Sequence, residues 1–184
     1  MLQDFLEPFI AVGAAELGDK TQLAILLLST RFKEKIKFLT GVMVGFLLVD
    51  GLAVVAGAWV GAIIPKNILA LASGLLFILF GALMLRSEQE HHGSAASFGN
   101  GPLTQGFIMI SIMEFGDKTQ LAAGLFATKY NPPLVLAGAL CALLILSASA
   151  VYLGDKVLKR IEKKTVTMVA AVAFILIGFA FILY

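Results

Sequence analysis

Residues 16–24 read ELGDKTQLA and residues 114–122 read EFGDKTQLA, two stretches that differ at one position in nine and begin 98 residues apart. Each carries two carboxylates, an ammonium, a hydroxyl and a carboxamide within its first seven residues. Together they offer oxygen donors from Glu16, Asp19, Thr21, Gln22, Glu114, Asp117, Thr119 and Gln120. Such donors suit a hard divalent cation, calcium, manganese or magnesium, rather than zinc or copper. His91 and His92 stand outside both stretches and Cys141 is the lone cysteine, so no soft-metal ligand set is on offer. Four carboxylates against Lys20 and Lys118 leave a formal charge of −2, which one divalent cation neutralises. Glu16 and Glu114 are also candidates to exchange protons for that cation, with Lys20 and Lys118 balancing the charge of the empty site.

The elements that must hold these residues follow from composition. Of 184 residues, 59% are hydrophobic and only 14% charged, too little polar surface to cover a water-soluble fold. A net charge of +2 without a basic tail or face sets a nucleic-acid partner aside, and the expected surroundings are a lipid bilayer. A span needs about 20 apolar residues to cross roughly 30 Å of hydrocarbon. On that scale the sequence predicts six helical spans: Phe5 to Ser29, Ile36 to Ile64, Asn67 to Leu85, Leu103 to Thr128, Pro133 to Leu153 and Thr165 to Tyr184. Glu16 and Glu114 each lie 11 residues into their span, roughly 16 Å deep at the helical rise, near the midplane. An ionised side chain there costs about 2.5–3.5 kcal/mol even on a lenient insertion scale, and the two stretches place six of them together. Such a burden implies mutual pairing and function. The competing account is structural, with Asp19 pairing Lys118, or Asp117 pairing Lys20, only to lock the first and fourth spans together. On a continuous helix Glu16, Asp19 and Lys20 share one face, as do Glu114, Asp117 and Lys118.

The duplication runs beyond the acidic stretches. Residues 53–57 (AVVAG) resemble 150–154 (AVYLG), and 77–81 (FILFG) resemble 174–178 (FILIG), both at a separation of 97. Each half therefore holds three spans, and because three is odd the second copy must enter the membrane from the opposite face, the inverted-repeat plan of secondary transporters. The expected fold class is an all-α membrane protein of six transmembrane helices in two inverted three-helix repeats, residues 1–86 and 103–184, forming one integrated domain. Residues 87–102 (SEQEHHGSAASFGNGP) read as a flexible cytoplasmic linker. On one side of this arrangement lie Arg31, Lys33, Lys35, Lys37, Arg86, Lys156, Lys159, Arg160, Lys163 and Lys164, and on the other only Lys66 and Lys129. By the positive-inside rule the richer side is cytoplasmic and both termini are outside. The N-terminus is acidic and has no positively charged leader, so no cleavable signal is expected.

Asp50 is a fifth acid within the predicted spans, and its counterpart in the second repeat is Ser147. It is a candidate cation ligand or proton carrier, against the alternative of a buried neutral acid bonded to a neighbour. Gly18 and Gly116 either let helices approach closely or open the hydrogen-bond ladder and free carbonyls for a cation. His91 and His92 with Glu88 and Glu90 are read as ordinary loop residues rather than a metal trap. The run 31–37 (RFKEKIK) is a topology determinant and Trp59 an interfacial anchor.

The paired Glu-x-Gly-Asp-Lys-Thr motifs on the first and fourth of six spans, with a central loop, resemble the calcium/manganese cation:proton exchanger family that includes human transmembrane protein 165. The resemblance covers essentially the whole chain. It implies transport of manganese or calcium against protons, with no bound cofactor and no enzymatic reaction, and with Glu16, Asp19, Glu114 and Asp117 as the site. Eukaryotic members of that family work in Golgi and chloroplast membranes and prokaryotic ones resemble manganese exporters of the plasma membrane; with no leader evident, a multi-pass protein of a prokaryotic plasma membrane, exporting the cation from the cytoplasm, is the expected case. Asp50 departs from the small hydroxyl residue expected at its position. The mechanism expected is alternating access, with the two repeats rocking about a central site. A passive divalent cation channel and a membrane-embedded carboxylate or metal enzyme are the competing readings.

Overall fold

The computed structural model describes residues 1–86, 101–157 and 163–183. The backbone there forms eight helices and no strand: α1 (Leu2–Glu16), α2 (Lys20–Ser29), α3 (Lys35–Ile63), α4 (Lys66–Arg86), α5 (Pro102–Met113), α6 (Lys118–Ala127), α7 (Pro132–Val157) and α8 (Lys163–Leu183). Three stretches, Lys35–Ile63, Lys66–Leu85 and Pro132–Leu153, are long and apolar enough to cross a membrane, and Lys20–Ser29, Pro102–Met113 and Thr167–Leu183 are shorter apolar helices. Most of the expected linker, with His91, His92, Glu88 and Glu90, lies outside the described residues. Its last two residues open α5, with Gly101 as N-cap and Pro102 in the first turn, where proline's missing N–H leaves nothing unsatisfied.

The continuous first and fourth helices expected from apolar periodicity are each two helices. Gly18 and Gly116 take φ of 79° and 82°, a left-handed conformation that costs a residue bearing Cβ about 1–2 kcal/mol. The next residue then restarts the helix: Asp19 is extended at φ −72° and ψ 169°, and its side chain accepts from the Lys20 amide at 2.7 Å as an N-cap. Asp117 repeats that backbone at φ −76° and ψ 166°. Glycine and aspartate thus interrupt the ladder while the apolar pattern runs on through both sides. Glu16 and Asp19 consequently lie on either side of a break rather than on one helical face, and so do Glu114 and Asp117.

Packing is interlaced. Helix α4 lies on α8, α3 on α5, α6 and α7, α1 on α7, α6 and α8, and α2 on α7, so nearly every packed pair joins the first half of the chain to the second. Within a half, only α6 on α7 packs comparably among the described residues. The packed units mix the two halves, α1 and α2 with α7, and α5 and α6 with α3.

The same close contacts occur twice. Gly41 on α3 meets the Leu103 carbonyl at the start of α5, and Gly138 on α7 meets the Phe5 carbonyl near the start of α1. A Cβ at Gly74 would lie 2.6 Å from the Gly178 carbonyl oxygen, and one at Gly81 the same distance from that of Ala171. At repeat separations of 97 and 98 each contact in these pairs is the image of the other. Small residues let the backbones meet, which is how helices gain dispersion energy where water exclusion is weak. Phe77 and its repeat counterpart Phe174 join Phe126 and Phe181 in a buried aromatic cluster, with Phe77 ring centroids 4.9–5.6 Å from the other three.

Candidate functional site

The two breaks meet inside the bundle, because α1 packs on α6 and α2 contacts α5. One carboxylate oxygen each from Glu16, Asp19 and Asp117 lies within 4.8 Å of the other two. Two of these acids come from the first break and one from the second. Glu16 is 2% exposed, its Oε1 has no hydrogen-bond partner, and neither does Asp117 Oδ2. Buried oxygens left open in this way are suited to a cation that is not held permanently.

Glu114 is equally buried but occupied. It accepts from Thr21 Oγ1, and from Thr119 Oγ1 at 3.4 Å, so one hydroxyl from each motif holds it. Lys118 donates to Asp19 across the two breaks, and its Nζ lies 3.9 Å from Asp117 Oδ2. One of the two ion pairs weighed from sequence is therefore formed. Lys20 is exposed and makes no ion pair among the described residues. Three clustered carboxylates and one ammonium leave a formal −2, the charge reckoned from four acids and two lysines but reached with a different set of residues.

The carboxamides face the backbone. Gln22 Oε1 accepts from the Gly18 amide at 2.7 Å and Gln120 Oε1 from the Gly116 amide at 2.5 Å. Each glutamine thereby satisfies an N–H that the break frees, which matters where no water is at hand. Gln120 also donates through Nε2 to the Val49 carbonyl at 3.1 Å, tying the second break to α3 beside Asp50. Asp50 is 3% exposed and its Oδ2 is unpartnered. It stands outside the three-acid cluster, and its counterpart Ser147 is also buried.

Away from the cluster, Tyr130 in the α6–α7 connection donates to Glu7 Oε2 on α1 at 2.8 Å, and the Asn131 amide donates to Asp4 at 3.4 Å. Burial, and then the bond to Glu7, push the Tyr130 phenol above its ordinary range. Sequence reading did not single out this pair. Glu7 is a visible acid within the first predicted span, but Tyr130 is 123 residues away with no local spacing to announce it.

The family model described as divalent cation/proton antiporter GDT1 matches residues 4–92 and 102–184, and so includes both breaks. A putative manganese exporter of Vibrio cholerae is 28% identical over 171 residues, covering 92% of this chain and 85% of that protein. A GDT1-like protein of Synechocystis is 28% identical over 197 residues, covering 96% and 95%. The divalent cation/proton antiporter GDT1 of Saccharomyces cerevisiae is 23% identical over 235 residues, covering 98% and 84%. No solved structure matches the chain.

Proposed function

The chain belongs to the GDT1 family of divalent cation/proton antiporters, and from that premise we propose that it exports manganese, with calcium as a second substrate, from the cytoplasm of a prokaryotic cell in exchange for protons. As a member of that family it is an integral membrane transporter, not an enzyme. The manganese assignment draws on the likeness to the Vibrio protein and on a ligand set made of oxygens alone.

The observation that carries the site is the convergence of Glu16, Asp19 and Asp117 at two helix breaks, with unpartnered buried oxygens on Glu16 and Asp117. In this reading the cation sits among those three acids and Lys118 sets the charge against which it is bound. Thr21 and Thr119 hold Glu114, while Gln22 and Gln120 keep the breaks open. Asp50 supplies a further proton beside the site. Cation and protons compete for the same oxygens: protons entering from outside neutralise carboxylates and release the ion, and proton loss toward the cytoplasm restores binding.

Six spans in two inverted repeats with both termini outside fit this scheme, each broken pair α1–α2 and α5–α6 making one span. Alternating access then proceeds by movement of the mixed bundles, α1–α2–α7 against α5–α6–α3, around the breaks. The test is a competition flux measurement in proteoliposomes with manganese, calcium and magnesium under an imposed pH gradient. Manganese flux that follows the pH gradient and is lost in Glu16→Gln is the expected result. Manganese flux independent of the gradient, or retained in full by Glu16→Gln, refutes the coupling or the site.

A further inference from the structure

The two motifs, alike in sequence, are held in unlike arrangements. Lys118 pairs with Asp19, while its counterpart Lys20 is exposed and pairs with no described acid. Both threonine hydroxyls go to Glu114, and Glu16 keeps an open buried oxygen. Gly18 is buried and Gly116 exposed. Helix α8 packs on α1, whereas the equivalent pair α4 and α5 has no comparable packing among the described residues. Within the motifs themselves ELGDKTQLA and EFGDKTQLA differ only at Leu17 and Phe115, while outside them the repeats differ more widely, Asp50 standing against Ser147.

We propose that this structure is one of two states related by an exchange of roles between the motifs, and that Lys20 is the residue that closes the other one by pairing with Asp117. The proposal rests on the inverted-repeat reading of the fold. In the second state Thr21 and Thr119 donate to Glu16, Glu114 offers the open oxygen, and the cation's acids are Glu114, Asp117 and Asp19. Two aspartates are common to both sets, so the ion changes only its glutamate and is never stripped of all its carboxylates at once. Among the motif lysines, threonines and glutamates the inventory of bonds is the same in each state: one lysine–aspartate pair, two threonine hydroxyls on one glutamate, and one open glutamate. Equal inventories keep the two states close in free energy, as alternating access requires, since a carrier strongly biased to one state cannot be turned by its substrate.

Lys20 is thus a positioning residue that acts through Asp117 and is idle in the state described here. The experiment compares Lys20→Met, Lys20→Arg and Lys118→Met in two measurements: thermal unfolding in detergent without cation, and manganese/proton exchange in proteoliposomes. Lys118→Met is expected to lower Tm by a few degrees, because it breaks a pair present in the resting state. Lys20→Met is expected to leave Tm within about 1 °C yet slow exchange by about ten-fold or more. Lys20→Arg, which keeps the charge, is expected to recover most of that exchange. Lys20→Met exchanging at the wild-type rate overturns the proposal, as does a Tm loss matching that of Lys118→Met, since Lys20 would then already be paired. Absence of exchange by the wild-type protein instead overturns the antiport reading, and the proposal with it.

Discussion

Replacing Gly116 with alanine isolates the contribution of the helix break to transport. A Cβ at this position meets nothing within 4 Å, so the substitution brings no collision. What it changes is the backbone: at φ 82° an alanine pays about 1–2 kcal/mol for the left-handed conformation. Alanine also favours an uninterrupted helix over glycine by about 0.8–1.0 kcal/mol. Both terms act in the same direction, so the broken form loses about 2–3 kcal/mol relative to a straight α5–α6. The left-handed cost alone, about 1–2 kcal/mol, counts relative to the unfolded state and corresponds to a Tm decrease of roughly 2–8 °C for a chain this long. The substitution also removes Asp117 from the cluster in the fraction of molecules that straighten. The assay is paired: thermal unfolding in detergent, and manganese/proton exchange in proteoliposomes at matched protein density. Gly116→Asn is the internal control, because asparagine tolerates the left-handed region, and it should keep both properties nearer to wild type than alanine does. Gly116→Ala matching wild type in stability and exchange, or Gly116→Asn failing as badly as Gly116→Ala, refutes the backbone argument.

Close glycine contacts give a second prediction. Gly41→Ala and Gly138→Ala drive a Cβ into a facing carbonyl, on Leu103 and Phe5 respectively, whereas Gly51 has open space around it. The first two should destabilise by about 1–3 kcal/mol and Gly51→Ala should be neutral or slightly stabilising, as read from thermal unfolding of the three purified variants. Thr21→Val should leave a buried Glu114 oxygen without a donor and lower stability by about 1–3 kcal/mol; Thr119→Val, removing a 3.4 Å contact, should lower it less in the same melts. Tyr130→Phe removes the bond to Glu7 and should cost about 1 kcal/mol. Because the folded phenol titrates above its ordinary value of about 10, its stabilisation is fully present below that pH and lost as pH rises beyond it. The Tm difference between wild type and Tyr130→Phe should therefore be constant from pH 6 to 9, roughly, and shrink only at more alkaline pH.

Much of this architecture was legible in the sequence because its signals are local or repeated. Apolar run lengths placed the outer bounds of all the helices within a few residues, and the duplicated stretch identified the acids that converge. The breaks were only half legible. Glycine followed by aspartate allowed either close packing or an open ladder, and apolar periodicity continues on both sides, so composition alone favoured neither. Which of two nearly identical motifs takes which role was not legible at all. Lys20 and Lys118 have the same neighbours in sequence, and only the three-dimensional arrangement leaves one exposed and the other against Asp19. The glutamines looked like cation ligands by donor type, and what the sequence did not announce is that each oxygen also accepts an amide freed four residues earlier by the break. Glu7 and Tyr130 meet through tertiary packing, which no spacing within a single helix encodes.

The interlacing of the two halves has a consequence for how the chain is made. Translation delivers α1 to α4 first, and almost every surface on which those helices pack belongs to residues not yet synthesised. Until α5 to α8 arrive, glycines such as Gly41 and Gly74 face lipid instead of a neighbouring backbone, so the nascent half has helices but no tertiary partner. A fragment ending at residue 86 would lack nearly all of those packing partners. Supplying residues 101–184 as a separate polypeptide should rescue that fragment, because the interfaces that hold the molecule together do not depend on the peptide bond between its halves.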